Sequence, residues 1–174
     1  MLIDTERLHV RVFTLLDLPA FVAYRRDPEV ARYQSWSPDY SEERGREFIA
    51  RATESILGSE QWVNLAVELK ATGELIGDVG LRCGANEAEL GFTFSRLQQG
   101  KGFAREAVSA VIDHAFTRLG LTRVIAVVDA RNESAERLLR GLSFVVRERA
   151  VGVAFKGELC DELTWQRSAT TVVD

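Results

Sequence analysis

Apolar and polar residues alternate near the start of the chain, and the spacing then becomes helical. Leu8, Val10 and Val12 are separated by polar residues, and this period of two predicts a half-buried strand. Three helical segments are predicted next, each behind a residue typical of a helix N-cap, namely Thr14, Asp27 and Ser41. The apolar face of the last segment consists of Phe48, Ile49, Ala52 and Ile56.

The period of two returns after Gly58. Residues 61–69 and 74–81 predict two strands joined by the turn KATG, which together make a hairpin. A further strand is predicted over residues 87–94, where apolar and polar positions alternate again. Its apolar face consists of Ala88, Leu90, Phe92 and Phe94.

A long helix and a second series of strands follow. Apolar residues at helical spacing predict a helix over residues 103–119 that ends at Gly120. The apolar run at 123–129 predicts a strand that is covered on both faces. The remaining elements are a helix over 133–142 and strands over 143–153 and 158–165. Strand 87–94, the long helix and strand 123–129 form a crossover unit, which makes the two strands parallel. The pattern therefore predicts a mixed α/β (α+β) fold.

The composition is that of a globular protein and argues against several kinds of partner. The 174 residues are 46% hydrophobic and 28% charged and contain no repeat or linker, so we expect one domain over residues 1–174. A net charge of −4 and a pI near 5.4 supply no basic field for nucleic acid or an anionic membrane. No run of about 18 apolar residues and no signal-peptide pattern occurs. We therefore expect a cytoplasmic protein with no nucleic-acid or membrane partner.

Metal-ligating and redox residues are few. Cys83 and Cys160 are far apart and belong to no CxxC motif, which favours two free thiols while leaving a disulfide open. The two histidines, His9 and His114, lie on a strand and a helix with no cluster of thiols or carboxylates in sequence around them. We therefore expect no metal site.

A glycine-containing turn opens the long helix in the segment SRLQQGKGFAREAV, residues 95–108. Such a turn presents backbone N–H groups to an anion at the positive end of the helix dipole. A nucleoside triphosphate site would need Ser or Thr after Lys101, where the chain has Gly102. A dinucleotide site would need a third glycine where the chain has Arg105, and too little chain follows to complete a doubly wound sheet.

The segment Gln99–Ala104 instead matches the pattern Q/R-x-x-G-x-G/A, the pyrophosphate-binding turn of the GNAT acetyltransferases. Other segments resemble, in the right order, the GNAT branch that contains the ribosomal-protein N-terminal acetyltransferases RimJ and RimL. These segments are DTERLHVRVFTLLDL, DPEVARY, ELIGDVGL, AELGFTF and ARNESAERLLRGLSF. The resemblance implies the GNAT fold, which is a mixed and mostly antiparallel sheet with helices on both faces.

The resemblance also implies that acetyl-CoA is the co-substrate and that an amine attacks its thioester directly. The pyrophosphate would bind the turn made by Gln99, Gly100, Lys101, Gly102, Phe103 and Ala104. The pantetheine arm would run in a gap between strands 87–94 and 123–129. Backbone groups of Phe92, Thr93 and Phe94 would lie beside it, and an N–H near Phe92 would face the thioester oxyanion. Asn132 matches a cofactor-contacting asparagine of the family, or serves only as the N-cap of the helix that follows.

The family pattern is less complete for the catalytic residues. Glu89 lies where several members place a general base, with Glu87 as the second choice, and either residue could be only a solvated carboxylate. The positions at which the family often has a Ser or Tyr acid hold Ala135 and Leu139. The remaining options are that Ser134 takes the role of acid, that a water protonates the thiolate, or that turnover is poor.

The acceptor and the assembly state are the least specified properties. Tyr33 and Trp36, with Tyr40, lie in the segment that walls the acceptor cleft in the family, so they are either a substrate lid or packing residues. The predicted acceptor is a protein N-terminal α-amine or a small-molecule amine, and the predicted protein is a monomer or homodimer. The alternative is a non-catalytic acyl-CoA-binding module, which Ala135 and Leu139 would explain. A small nucleotide-binding oxidoreductase is disfavoured by the missing third glycine.

Overall fold

A computed structural model of the chain describes residues 2–170. Eight strands form one sheet in the order β1-β2-β3-β4-β5-β6-β8-β7. The strands are β1 (Leu2–Asp4), β2 (Leu8–Arg11), β3 (Trp62–Leu69), β4 (Glu74–Cys83), β5 (Glu87–Phe94), β6 (Arg123–Asp129), β7 (Val145–Phe155) and β8 (Glu158–Ser168). Neighbouring strands are antiparallel except for β5 and β6, which are parallel. The predicted mixed, mostly antiparallel sheet is thus confirmed.

The helices lie on both faces of this sheet, as predicted. They are α1 (Leu18–Arg25), α2 (Pro28–Ala31), α3 (Glu42–Glu54), α4 (Phe103–Thr117) and α5 (Glu133–Gly141). One hydrophobic core lies between the sheet and α4 with α5, and includes the fully buried Val108 and Leu139. A second core lies on the opposite face beneath α1, α2 and α3, and includes the fully buried Phe21 and Ile49. Among residues 2–170, no helix is both long and apolar enough to cross a membrane.

The parallel strands β5 and β6 separate soon after they begin. They pair only at Glu87–Arg123, Ala88–Val124 and Glu89–Ile125, although β5 continues to Phe94 and β6 to Asp129. Each strand keeps its antiparallel partner over this length, β5 with β4 and β6 with β8. A wedge-shaped gap therefore opens in the middle of the sheet toward the carboxyl ends of both strands.

The boundaries of several elements differ from the sequence expectation for local reasons. The first α-helix begins at Leu18, because the carboxylate of Asp17 caps a preceding 3₁₀ turn by accepting from the Thr14 N–H at 2.7 Å. Helix α3 ends at Glu54 because Ser55 is extended, so Ile56 is 77% exposed and does not join the predicted apolar face. The short first strand, β1, was not predicted.

Candidate functional site

The segment Gln99–Ala104, which we call the glycine turn, connects β5 to α4. Gly100 and Gly102 adopt left-handed backbone angles, with φ of +74° and +83°, and Gly102 is the N-cap of α4. Such angles strain residues that carry a Cβ, so the turn requires glycine at these two positions. The side-chain amide of Gln99 donates to the carbonyl oxygen of Phe94 at 3.1 Å and so fixes the turn to the end of β5.

Most backbone N–H groups of the glycine turn have no acceptor among the described residues, the exception being that of Gln99, which donates to the Arg96 carbonyl oxygen at 3.3 Å. Within the described residues, the N–H groups of residues 100–105 donate to no backbone or side-chain oxygen, and the first such bond of α4 runs from Glu106 to the Gly102 carbonyl. A Cβ placed on Gly100 would meet no atom within 4 Å, so the surface above the turn is open. Free N–H groups at a helix N-terminus form a site for an anion such as pyrophosphate.

Arg7 ties the start of β2 to this turn. Its guanidinium donates to both Glu106, at 2.7 Å, and the carbonyl oxygen of Lys101, at 3.1 Å, and lies 4.6 Å from the centre of the Phe103 ring. Thr5 also donates to the Glu106 carboxylate, at 2.6 Å. Burial alone would raise the pKa of Glu106, but the hydrogen bonds from Thr5 and Arg7 outweigh it and lower this pKa. Glu106 therefore stays ionised and holds the turn in place.

The gap between β5 and β6 encloses a cavity of about 140 Å³, which we call the gap cavity. Its walls come from both strands, the start of α5 and the β7–β8 hairpin. They include Leu90, Gly91, Phe92, Val127, Asn132, Ala135 and Cys160, and the loop residues Tyr33 and Gln34 close it from above. This cavity between two diverging strands has both polar and apolar walls, and it lies where the resemblance to the GNAT acetyltransferases leads us to expect the pantetheine arm.

The backbone of Phe92 faces this gap. The Gln34 side-chain amide nitrogen lies 3.4 Å from the Phe92 carbonyl oxygen, on the side of β5 opposite β4. In a β-strand the N–H and C=O of one residue point to the same edge. The Phe92 N–H therefore also points into the gap, where β6 has already diverged from β5. Thr93 has the opposite orientation, because a Cβ on Gly77 of β4 would collide with the Thr93 carbonyl oxygen.

A second and larger cavity of about 750 Å³, the main cavity, lies on the face of the sheet covered by α1 and α3. Its aromatic walls are Trp36, Tyr40, Phe48 and Trp62, and its charged residues are Arg25, Arg44, Arg51, Glu54 and Asp78. The main cavity and the gap cavity share Gln34, Gly91 and Phe92. The two cavities therefore meet at the point where β5 turns away from β6.

A buried ionic cluster forms part of the floor of the main cavity. Arg25 and Asp78 are 3.3 Å apart, and the Tyr24 hydroxyl donates to Asp78 at 2.6 Å. The guanidinium of Arg25 lies against the Trp36 and Phe21 rings, at 3.8 and 4.3 Å from their centres. Burial raises the pKa of Asp78, although the charge of Arg25 opposes this rise. Charged residues are rarely buried in a core, and Arg25 and Asp78 are both buried here. Neither residue was predicted to belong to the site.

The aromatic residues of the predicted lid lie in different places. Trp36 is buried in the wall of the main cavity, and its indole N–H donates to the Arg25 carbonyl oxygen at 3.1 Å. Tyr33 lines the gap cavity, and its hydroxyl donates to the Arg131 carbonyl oxygen at 3.1 Å. Tyr40 is buried beside Trp36. The segment is thus a fixed wall between the two cavities, and Tyr33 is on the gap side of that wall.

Glu89, the predicted base, contacts neither cavity. Its carboxylate is paired with Arg82 on the neighbouring strand β4, on the same face of the sheet as the main cavity but beyond Gly91. Glu87 is likewise paired, with Arg123 at 2.7 Å. Asp78 is the carboxylate that lines the main cavity beside β5, although Arg25 and Tyr24 already bind it. Glu89 therefore does not line either cavity, and its role as the base stays a prediction.

The start of α5 bears on the gap cavity through two residues. The Asn132 side-chain oxygen accepts from the Ala135 N–H at 3.2 Å, the N-cap contact that the sequence predicted, and Asn132 also lines the gap. The Ser134 hydroxyl donates to the same oxygen at 2.9 Å and is exposed, outside the cavity lining. Ala135 occupies the position that faces the gap. The predicted role of Ser134 as an acid remains untested.

The two cysteines form no disulfide and belong to no group of metal ligands among the described residues. Cys83 and Cys160 are both buried and free, so the expectation of two thiols is confirmed. Cys160 lines the gap cavity, and burial together with the nearby charge of Asp129 raises its pKa. Over residues 2–170, no three His, Cys, Asp or Glu side chains are grouped as metal ligands would be.

The sequence carried a signal for some of the missed residues but not for others. Asp78 interrupts the apolar run of β4, and a lone acid inside such a run indicates a buried polar site. Gln34 and Arg7 look like ordinary surface residues in the sequence. Their roles depend on Phe92 and Glu106, which are 58 and 99 positions away.

Comparison with known proteins gives one consistent result. Residues 7–145 match the family model described as an acetyltransferase (GNAT) domain. An uncharacterized N-acetyltransferase, p20 of Bacillus licheniformis, is 36% identical over 143 residues, which cover 80% of each chain.

Solved structures share the same fold. A GNAT-family acetyltransferase from Bacillus anthracis superposes with a TM-score of 0.85 at 24% identity, covering 97% of this chain and 98% of the other. The ribosomal L7/L12 N-acetyltransferase RimL, solved with CoA, gives 0.82 at 17% identity and the same coverages. The Vibrio cholerae spermidine N-acetyltransferase, solved with CoA and spermine, gives 0.80 at 23% identity, covering 94% and 96%. Identities this low establish the fold and leave the acceptor open.

Proposed function

The chain belongs to the GNAT acetyltransferase family and is an N-acetyltransferase, and on that premise we propose that its acceptor is the α-amine of a peptide or protein N-terminus. The observation that carries the proposal is the junction of the two cavities at Gly91 and Phe92. A narrow slot that suits the pantetheine arm meets a wide and open cavity there, so a thioester and a bulky acceptor can approach each other.

The position proposed for acetyl-CoA follows the free hydrogen-bond donors. Its pyrophosphate accepts from the N–H groups of the glycine turn, at the positive end of α4. The pantetheine arm lies in the gap cavity, near Asn132, with the thioester at the junction. The Phe92 N–H then faces the thioester oxygen, where a fixed donor stabilises the negative charge that develops. Thr93 does not face the gap with its backbone, and we expect it to contact the bound molecules only through its side chain, which lines the main cavity.

The proton balance favours an α-amine over a lysine. The amine nitrogen bonds to the acyl carbon, the carbon–sulfur bond breaks, the amine gives up one proton and the thiolate takes one up. At pH 7 deprotonation costs roughly 4.6 kcal/mol for a lysine with a pKa of about 10.4, but only about 1 kcal/mol for an α-amine with a pKa near 7.8. The junction residues Gln34, Gly91 and Phe92 carry no carboxylate, although Glu162 lines the gap cavity and Glu54 lines the main cavity. The smaller cost of deprotonation therefore favours the α-amine, whichever group takes up the proton.

The charges of the main cavity argue against a polyamine. Three arginines line it against two carboxylates, and one of these, Asp78, is already paired with Arg25. A polycation would need the opposite balance of charge. A peptide with a single α-amine and a neutral or acidic side chain fits the aromatic and cationic lining better. The spermidine acetyltransferase with the same fold is therefore a poor guide to this acceptor.

The test is acceptor-dependent release of CoA from acetyl-CoA, measured alongside calorimetric binding of CoA. The panel contains peptides with a free α-amine, the same peptides with a blocked α-amine and a free lysine, and spermidine. We expect CoA to bind and thiol release to require the free α-amine. Release with spermidine alone would identify a polyamine acceptor, and binding without release from any amine would identify a non-catalytic acyl-CoA-binding module.

The remaining properties are proposed on the sequence alone. We expect one domain over residues 1–174, a cytoplasmic location and a monomer or homodimer. Sedimentation of the purified protein at several concentrations separates the last two.

A further inference from the structure

Of the described residues, three line both cavities, and Gln34 is the one that lies outside the sheet, the others being Gly91 and Phe92 of β5. It follows α2 in a segment that runs across the open end of the gap. Its amide nitrogen lies 3.4 Å from the Phe92 carbonyl oxygen, so the side chain reaches the backbone at the junction itself. A polar side chain at this place can contact a molecule that extends from the main cavity into the gap cavity.

The orientation of the amide follows from its partner. The Phe92 carbonyl oxygen can only accept a hydrogen bond, so the NH₂ group of Gln34 must face it. The amide oxygen of Gln34 then points away from Phe92, and it accepts no hydrogen bond from a donor within residues 2–170. The junction therefore contains a hydrogen-bond acceptor, the Gln34 amide oxygen, that no donor of the described residues uses.

Contacts on both sides hold Gln34 in this place. Before it, the Tyr33 hydroxyl donates to the Arg131 carbonyl oxygen at the far side of the gap, at 3.1 Å. Around it, the Lys156 ammonium at the tip of the β7–β8 hairpin donates to the carbonyl oxygens of Ala31 and Trp36, at 2.7 and 2.5 Å. The loop is therefore anchored at Arg131 and at the β7–β8 hairpin, in addition to the contact that Gln34 itself makes with β5.

We infer that Gln34 positions the acceptor amine for attack. Its amide oxygen accepts a hydrogen bond from one N–H of the neutral amine, while its NH₂ group stays bonded to Phe92. An amine held in this way keeps its lone pair free to attack the thioester at the junction, because the accepting oxygen binds an N–H and not the lone pair. The inference rests on the proposed function, since it requires an amine and a thioester to meet at this junction.

The experiment compares the wild type with Gln34→Leu and Gln34→Glu in steady-state thiol release with a free α-amine peptide. Gln34→Leu keeps most of the volume and loses both polar groups. We expect kcat/KM for the peptide to fall about tenfold or more, as the loss of one hydrogen bond to the substrate would cause. We expect CoA affinity, measured by calorimetry, to stay within about twofold. Gln166→Leu, the same change on β8 away from both cavities, is the matched control and should leave both constants unchanged.

Gln34→Glu distinguishes positioning from simple packing. An ionised carboxylate is repelled by the Phe92 carbonyl oxygen, whereas a protonated one can donate to it as the amide does. The rate of this variant relative to the wild type should therefore rise as the pH falls, which a role in volume alone would not produce. Unchanged peptide kinetics in Gln34→Leu, with an active wild type, would overturn the inference. A wild type that binds CoA but acetylates no α-amine would instead overturn the proposed function.

Discussion

Arg25 and Asp78 form an ion pair beneath the main cavity, with their nearest atoms 3.3 Å apart and both side chains at most 6% exposed. Removal of one charge leaves the other buried without its partner. We expect Asp78→Asn to lower the free energy of unfolding by about 3 kcal/mol, as broken buried pairs do, in urea denaturation. Asp161→Asn breaks the exposed pair with Arg149 on the β7–β8 hairpin and should have a much smaller effect. Equal losses of unfolding free energy in Asp78→Asn and Asp161→Asn would show that breaking the buried pair costs no more than breaking an exposed one.

The glycine turn provides a test of the anion site that is independent of catalysis. Gly100 and Gly120 both have a positive φ, +74° and +68°, and a Cβ on either would meet no atom within 4 Å. Gly100→Ala and Gly120→Ala should therefore share a strain cost of about 1 kcal/mol. Only Gly100→Ala adds its methyl group and its backbone strain within the glycine turn, so its CoA affinity should fall about tenfold in calorimetry. Similar CoA affinities in the two variants would place the pyrophosphate elsewhere.

The hydrogen bonds to Glu106 predict a pH-dependent stability. Its pKa is lowered in the folded state, so its contribution is present above the unfolded value near 4.5 and is lost as the pH falls through the folded value. The difference in unfolding free energy between wild type and Glu106→Gln should be about 1–2 kcal/mol at pH 7 and should shrink below about pH 4. Urea denaturation across this range measures it. A difference that stays constant with pH would mean that the charge of Glu106 contributes nothing.

Lys156 connects the last hairpin to the wall of the main cavity. Burial lowers the pKa of its ammonium group, which donates to the carbonyl oxygens of Ala31 and Trp36. Lys156→Met should loosen the segment that carries Gln34 and raise the KM for the peptide several-fold, with little change in CoA affinity. Lys70→Met is the control, since Lys70 also donates to a backbone oxygen away from the main cavity, that of Thr5 at 2.6 Å, and its additional ion pair with Asp4 makes it the more demanding test of stability. A similar KM change in both would assign the effect to general destabilisation.

The position of Glu89 predicts a small effect of its removal. Because its carboxylate is paired with Arg82 and lines neither cavity, Glu89→Gln should change kcat/KM less than about tenfold and leave its pH profile unshifted. A direct general base would contribute about 10²–10⁴-fold. A loss in that range, together with a lost limb of the pH profile, would restore Glu89 as the base.

The fold and the glycine turn could be predicted because their signals are local. The change of spacing at Phe103, the glycines before it and the apolar run of β6 lie within about thirty residues, and they indicated the parallel pair that the structure contains. The wall between the cavities could not be predicted in this way. Gln34 meets Phe92 and Lys156 meets Ala31 across 58 and 125 positions, and no periodicity encodes contacts between irregular segments. Of the cavity residues that were not predicted, only Asp78 has a local signal, because it is a charged residue within the apolar run of β4 and so indicates a buried polar group.

Because β5 and β6 diverge early, part of β5 has an unpaired backbone edge although the strand lies in the middle of the sheet. Three residue pairs join its two halves, β1–β5 and β6–β8, and beyond them the backbone of β5 at Phe92 is exposed to the gap as an outermost strand would be. An outermost strand recruits whatever extended backbone comes near. Here only a slender chain fits, and one with amide groups would take the place of the missing strand and join the two halves. Such a ligand would act as a structural member of the sheet as well as a reactant, and hydrogen exchange on both flanking strands would slow when it binds.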